Sequence, residues 1–249
     1  MVEIVLWVLL FPSDFVATRE KTMNADEARP FDSLAILYQD ESVVIVNKPG
    51  GLLVHRSSES SDRVFLLQEL ARQLDRHVYP VHRLDRAASG AIAFALSSDA
   101  ARKLHANLSA GDARKEYLAL VRGSAPAGGV IDRALTQQVC SSEFERLAEL
   151  SRCSLLAVRI STGRRHQIRR HLAHIRHHVL GDTTYGKGRI NRYFREKYGL
   201  PRLFLHAWRL EVRHPETGER LRISAPLPAD LRGFLERLPD VDDELLATL

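Results

Sequence analysis

A chain of 249 residues, 45% of them hydrophobic and 27% charged, has the apolar material for a sizeable core and no low-complexity tract, which excludes a disordered or fibrous protein. Its 36 Lys and Arg against 31 Asp and Glu leave a formal charge of +5, a mild bias towards anionic partners. Only two cysteines occur, Cys140 and Cys153, and neither belongs to a CxxC pair, which excludes a disulfide framework and a cysteine-built zinc site.

The apolar run "IVLWVLLF" (4–11) is too short to cross a bilayer and follows Glu3 rather than a cationic flank. Neither a membrane span nor a signal peptide is read there, and a cytoplasmic location is expected. Residues 1–33 form an N-terminal extension. Its first 22 residues are either an over-extended start, with Met23 as the true one, or a short docking strand. Two β-rich runs, "LAILYQD" and "SVVIVNKPGG", make an opening hairpin. Apolar Val64, Leu66, Leu67, Leu70, Ala71 and Leu74 recur at helical spacing and predict a helix from Asp62 to Arg76.

"AIAFALS" (91–97) reads as a buried strand, which leaves "VHRLDRAASG" (81–90) as a loop between two strands. "SDAARKLHANLSAG" opens on a capping residue and closes on glycine, signing both ends of a helix. Strand-like "KEYLALVRG" and "SLLAVRIS" follow. "HQIRRHLAHIRH" then places Ile168, Leu172 and Ile175 on one helical face, with a basic first turn that opposes the helix dipole unless an anion sits there. A hairpin around "PETGE" and a helix at "PADLRGFLERL" lead to an acidic tail at 239–249. Strands in hairpins with helices inserted between them predict an α+β fold with a mixed, mainly antiparallel sheet and flanking helices, one domain over 34–238.

The charge is concentrated. Residues 151–222 hold seventeen Lys or Arg against five acids, together with seven histidines. Solvated surface arginines explain such a window less well than a phosphate-facing region. Within "VHRLDRAASG", Asp85 sits between Arg83 and Arg86. A carboxylate beside fixed cations is favoured in its charged form, which makes it a poor proton donor but an available nucleophile or base. A salt-bridged loop aspartate is the commoner fate of that pattern alone.

Three further segments accompany it: "NKPGGLLVHRS" (47–57), "KEYLALVRG" (115–123) and "TGRRHQIRRHLAHIRHHVLGDTTYG" (162–186). Together the four resemble the RluA-type pseudouridine synthases, whose pattern runs close to HRLDxxTSG, KxYxALVxG and GRxHQIRxHxA followed by GDxxYG. The likeness extends from about Leu34 to Leu238, in family order, and implies the pseudouridine synthase catalytic fold. It implies that Asp85 is the catalytic aspartate, that Tyr117 packs against the flipped uracil and takes part in proton transfer, and that Arg169 pairs with the carboxylate. Arg83 matches an arginine associated with the displaced nucleotide, and Arg86 is expected at the surface or on a phosphate. Further RNA contacts are expected from Lys48, His55 and His82, from Arg164, Arg165, His166 and Arg170, and from Lys187 and Arg192.

The implied reaction detaches a uracil, rotates it and rejoins it to the same sugar, so no metal or cofactor is expected. The implied partner is RNA and the implied state a monomer. Whether Asp85 attacks the sugar or the ring, or abstracts a sugar proton, stays open. A base in a stem must first be extruded, at a few kcal/mol, and stacking on a ring such as Tyr117 returns roughly 1–3 kcal/mol. The sequence departs from the pattern at Ala88, where the family usually has threonine, and in a short stretch between Tyr117 and Arg169. Some thirty residues precede Leu34, too few for an S4-like RNA-binding domain, so none is expected there.

The Asn-Arg-x-Phe insertion in "GRINRYFREKYGLPRLFLHAWRL" resembles the family group that modifies uridine 65 of tRNA. A ribosomal RNA target or a non-catalytic RNA-binding homologue are the alternatives. The insertion also reads as a helix on the core, with Tyr193, Phe194 and Tyr198 filling space and Arg192, Arg195 and Lys197 reaching phosphates. The histidines at 166, 171, 174, 177 and 178 lack an HExxH arrangement and alternate with arginines that would repel a cation, so no metal site is read.

Overall fold

The opening hairpin forms where β-branched residues dominate. β1 (Ala35–Gln39) pairs antiparallel with β2 (Val43–Lys48). Asp40 closes the turn, its Oδ1 accepting the N–H groups of Ser42 and Val43 at 2.8 Å each. The computed structural model describes residues 33–56, 62–150 and 152–249. The readings made for 1–32, the start at Met23 and the docking strand among them, lie outside those residues.

α1 (Leu66–Leu74) begins later than the periodicity from Asp62 indicates. Phe65 is extended and bridges to Leu53, and the N–H groups of Leu66 and Leu67 donate to Leu53 and Val54 before the helix takes over. A two-residue β3 (Tyr79–Pro80) leads into the Asp85 loop and then β4 (Ser89–Ala95). α2 (Ser98–Ser109) is capped as expected, the Ser97 hydroxyl accepting from Ala100 N–H at 3.1 Å.

β5 (Arg114–Arg122), β6 (Gly128–Asp132), β7 (Ser141–Leu150) and β8 (Cys153–Ile160) follow. β6 and β7 were not legible. β7, "SSEFERLAEL", is rich in helix-favouring Glu, Leu and Ala, and pairing with β8 overrides that preference. α3 (Gln167–His174) and α4 (Gly188–Tyr198) precede β9 (Leu205–Arg213), β10 (Arg220–Ser224), α5 (Ala229–Leu235) and α6 (Asp243–Thr248).

The ten strands form one sheet in the order β1-β2-β4-β9-β5-β8-β7-β6, with β10 on β9 and β3 on β4. Every pair is antiparallel except β4–β9, a short parallel seam of two matched pairs, Ser89 with His206 and Gly90 with Ala207. Residues 33–249 form one compact unit. Val43, Ile45 and the alanines 91, 93 and 95 pack against Ala100, Leu104 and Leu108 of α2. A second cluster joins Leu118, Leu120 and Leu155 to Phe194 of α4 and Phe234 of α5. Leu246 of α6 is buried in that cluster, so residues 239–249, set apart by their acidity as a tail, are in fact docked on the core by an apolar side chain.

Candidate active site

Asp85 lies four residues before the seam, on a turn whose backbone carbonyls are nearly all engaged. Ala88 N–H donates to Asp85 O at 3.1 Å, and Gly51 N–H to Arg86 O at 2.8 Å. A buried lysine and a partly buried arginine complete the clamp. Lys48 Nζ donates to Arg86 O at 3.2 Å and to the carbonyls of Pro49 and Leu52 at 2.8 and 2.7 Å. Arg202 donates to Ala87 O and to the Ser89 hydroxyl, both at 3.2 Å, while its Nε and Nη2 hold Asp230 of α5. His206 Nε2 donates to Ala225 O, so its Nδ1 accepts from Ser89 Oγ at 3.0 Å. His82 Nε2 accepts from Ala93 N–H at 2.9 Å, tying the start of the loop to β4.

With its backbone fastened, the loop holds the Asp85 side chain in a fixed place at 18% exposure. Arg169 Nη1 donates to Asp85 Oδ2 at 3.0 Å. The other side of the guanidinium is fixed by Asp182, with Nε and Nη2 each 2.8 Å from one carboxylate oxygen. Asp182 also accepts from Thr184 and Tyr185 N–H at 2.9 and 3.0 Å. Burial works against charge on both partners, and the Arg169–Asp182 bonds outweigh it: the Asp182 carboxyl stays below the usual carboxylate range and Arg169 stays charged. The Tyr185 ring lies beneath Arg169 at 5.2 Å, and its hydroxyl is 3.1 Å from His166 Nδ1.

Tyr117 reaches the same place across the sheet. One row of cross-strand partners runs Lys48, Gly90, Ala207, Tyr117, and a register shift beside Tyr117 sets it opposite Ala207. Gly90 (φ 114°) permits the approach, because a Cβ there would sit 2.2 Å from Ala207 O. Tyr117 is buried, and that burial together with the charge of Asp85 pushes its hydroxyl far above the ordinary phenol range. It is a neutral phenol within electrostatic reach of the Asp85 carboxylate, suited to packing on a base and donating a hydrogen bond.

Asp85, Tyr117 and Arg169 are thus brought together. The expected RNA contacts divide. Lys48 is fully buried on three carbonyls, and burial followed by the Arg202 charge lowers its ammonium to about 7, so it fastens the loop instead of meeting a phosphate. His82 is likewise spent on Ala93; burial, then Lys115, lowers it to about 3, which keeps it neutral. Arg83 is exposed on the loop itself. Arg86 is exposed too, bonded to Asp62 at 2.8 Å and to Gly51 O at 3.1 Å. His55 is half-buried and lowered by burial and by Arg83.

Arg164, Arg165 and His166 form the approach to α3, His166 Nε2 lying 3.9 Å from Asp85 Oδ1. Arg170, one position past Arg169, reaches Thr136 Oγ1 at 3.3 Å. Lys187 and Arg192 are exposed at and beyond the start of α4. Of the five histidines, His171 is buried between Ser142 Oγ and Arg133 O, His174 contacts Arg133 and His177 contacts Arg122 O, so they serve separate places. Asp182, Arg202 and the Ser89–His206 pair were missed. Asp182 carried a signal, as the sole acid between residues 151 and 195; Arg202 carried none.

The RNA pseudouridylate synthase family model matches residues 42–174, a span that contains Asp85, Tyr117 and Arg169. A tRNA pseudouridine synthase C of Yersinia pestis is 40% identical over 232 residues, covering 82% of this chain and 90% of that protein. Its counterpart in Vibrio vulnificus (strain CMCP6) is 38% identical, covering 82% and 95%. Among solved structures, human RNA Pseudouridylate Synthase Domain Containing 4 superposes with a TM-score of 0.69 at 25% identity, covering 82% of this chain and 92% of that one. The chain belongs to the RNA pseudouridylate synthase family, isomerases that act on RNA. No helix among the described residues is long and apolar enough to cross a membrane.

Proposed function

We propose that this chain converts one uridine of tRNA to pseudouridine, with uridine 65 as the target, acting as a cytoplasmic monomer. The single observation that carries the assignment of roles is the Asp85–Arg169 contact at 3.0 Å, held from behind by Asp182. The tRNA substrate is supported by the names of the relatives and by the Asn-Arg-x-Phe insertion before "LFLHAWRL".

In the reaction the N1–C1′ bond breaks and a C5–C1′ bond forms; C5 loses a proton and N1 gains one, so nothing external is consumed. Asp85 is the group at the reacting atoms, as nucleophile or base. Arg169 aims it and compensates its charge in a partly dry site. Tyr117 packs on the extruded uracil as a neutral phenol. Arg83 and the Arg164–Arg165–His166 approach face the displaced strand.

The test is incubation with unmodified tRNA and ribosomal RNA transcripts, mapping pseudouridine by chemical labelling, repeated with Asp85→Ala. Product at uridine 65 of tRNA that disappears in the variant is expected. Product that survives Asp85→Ala refutes the site; product on ribosomal RNA alone refutes the substrate.

A further inference from the structure

Helix first turns usually carry acids, because the N-terminal end of the dipole is positive. α1, α2, α5 and α6 obey, with Glu69, Asp99, Asp230 and the Asp243–Glu244 pair. α3 and α4 have no acid in the first turn. α3 belongs to the active site already described; α4 does not. Its inner face is used by Asn191 and Phe194, both buried. Asn191 donates to Asp182 O at 2.8 Å and accepts from Gly181 N–H at 3.0 Å, which pins the start of α4 to the residue behind Arg169.

The outer face of α4 exposes Arg189, Arg192 and Arg195. They are spaced three residues apart, an advance of about 4.5 Å per step along the helix. Among the described residues none of the three is ion-paired. The contrast with the β9–β10 hairpin is direct: there Arg213 pairs with Asp112 at 3.2 Å, Arg222 with Glu211 at 3.2 Å, and Arg220 with Glu211. Each cation on that hairpin has an acidic partner in the protein itself, Arg220 and Arg222 sharing Glu211. Those on α4 are left for an outside anion; they repel one another, and Arg189 in the first turn also opposes the dipole.

We infer that the outer face of α4 is a second RNA contact, which takes the phosphate backbone of the stem adjoining the target uridine while the seam holds the flipped base. This rests on the function proposed above. Arg189 and Arg192 flank Asn191, which bonds the backbone of Asp182, the residue that fixes Arg169. Guanidinium groups at regular spacing suit a phosphate backbone read without base contacts.

The test compares Arg189→Gln/Arg192→Gln/Arg195→Gln with Arg213→Gln/Arg220→Gln/Arg222→Gln in the full chain, using tRNA binding at several salt concentrations and steady-state kinetics. Each lost phosphate contact removes roughly 0.7–0.9 from the slope of log K against log salt, so the α4 variant is expected to lose about 2–3 from it. KM is expected to rise at least about tenfold, with the loss falling on KM rather than kcat, an order of magnitude set by the same slope. The hairpin variant is expected to keep the wild-type slope. Equal slopes in wild type and the α4 variant, with thermal midpoints showing both folded, overturn the inference, as does an α4-dependent slope seen with heparin but not with tRNA. Wild-type protein that binds tRNA with this α4 dependence yet makes no pseudouridine refutes the proposed function and leaves the docking face standing.

Discussion

Arg169 is held by two carboxylates of unequal exposure, and the inequality separates their tasks. Asp182 keeps 1% side-chain exposure and accepts four hydrogen bonds, whereas Asp85 keeps 18% and accepts one from Arg169. Removing one partner of a buried pair typically costs about 3–5 kcal/mol. Asp182→Ala is therefore expected to lower unfolding stability by that order, measured in urea, and Asp85→Ala by distinctly less. Equal losses would contradict the division. A second expectation concerns pH. Burial lowers His206 to about 4 from 6.5, so its neutral form is favoured in the fold. The unfolded chain binds the extra proton between those values, and the stability this residue contributes is complete above 6.5 and lost as pH falls towards 4. One such group changes stability by at most about 1.4 kcal/mol per pH unit. Unfolding free energies at pH 6.5 and 4.5 should show a fall that is smaller in His206→Gln. At this scale the proposed trio of Asp85, Tyr117 and Arg169 could be named in sequence because it matched a pattern. The supports were not, since nothing about a lone Arg202 or His206 in sequence says which backbone carbonyl or hydroxyl it will meet.

Elements act here mainly by bringing small residues where large ones are needed next door. The row Gly90–Ala207–Tyr117 joins three strands, and its first two members are the smallest residues available. Gly90→Ala is expected to lower kcat sharply and to destabilise by about 1–3 kcal/mol or more, the usual cost of overpacking. Gly51→Ala is the control, since Gly51 has a comparable positive φ of 88° with nothing within 4 Å of a Cβ. Similar losses in both variants would mean that strain, and not crowding against Ala207, decides. The opening hairpin, α2 and the β9–β10 hairpin were legible from alternation and capping. β7 was not, because its glutamates and leucines fit a helix equally well until β8 lies alongside. α1 shows the same limit: helical spacing continued back to Asp62, but extended pairing of Phe65 with Leu53 claims the first turn.

For the molecule as a whole, two apolar clusters hold the sheet. Phe234 is fully buried where α4, α5 and β5 residues meet, and Phe234→Ala is expected to cost about 3–5 kcal/mol by denaturant unfolding. A loss below about 1 kcal/mol, less than a typical core truncation, would mean that the helical layer is dispensable. Net charge predicted little at this scale; its concentration after residue 151 predicted more, and pairing in three dimensions then divided that window into neutralised and open cations. No linear reading makes that division, because the partners of Arg213 and Arg209 lie near residue 112 or 116, about a hundred positions earlier.

The seam between β4 and β9 joins a half-sheet built from residues before 96 to one built from residues after 113, and does so through only two matched pairs. Each half can acquire its hydrogen-bonded ladder from neighbours in its own part of the chain. Asp85 and Tyr117 stand on opposite banks. In a refolding experiment, turnover should consequently return later than the circular-dichroism signal of the strands, as the final gain of a chain whose secondary structure is already in place.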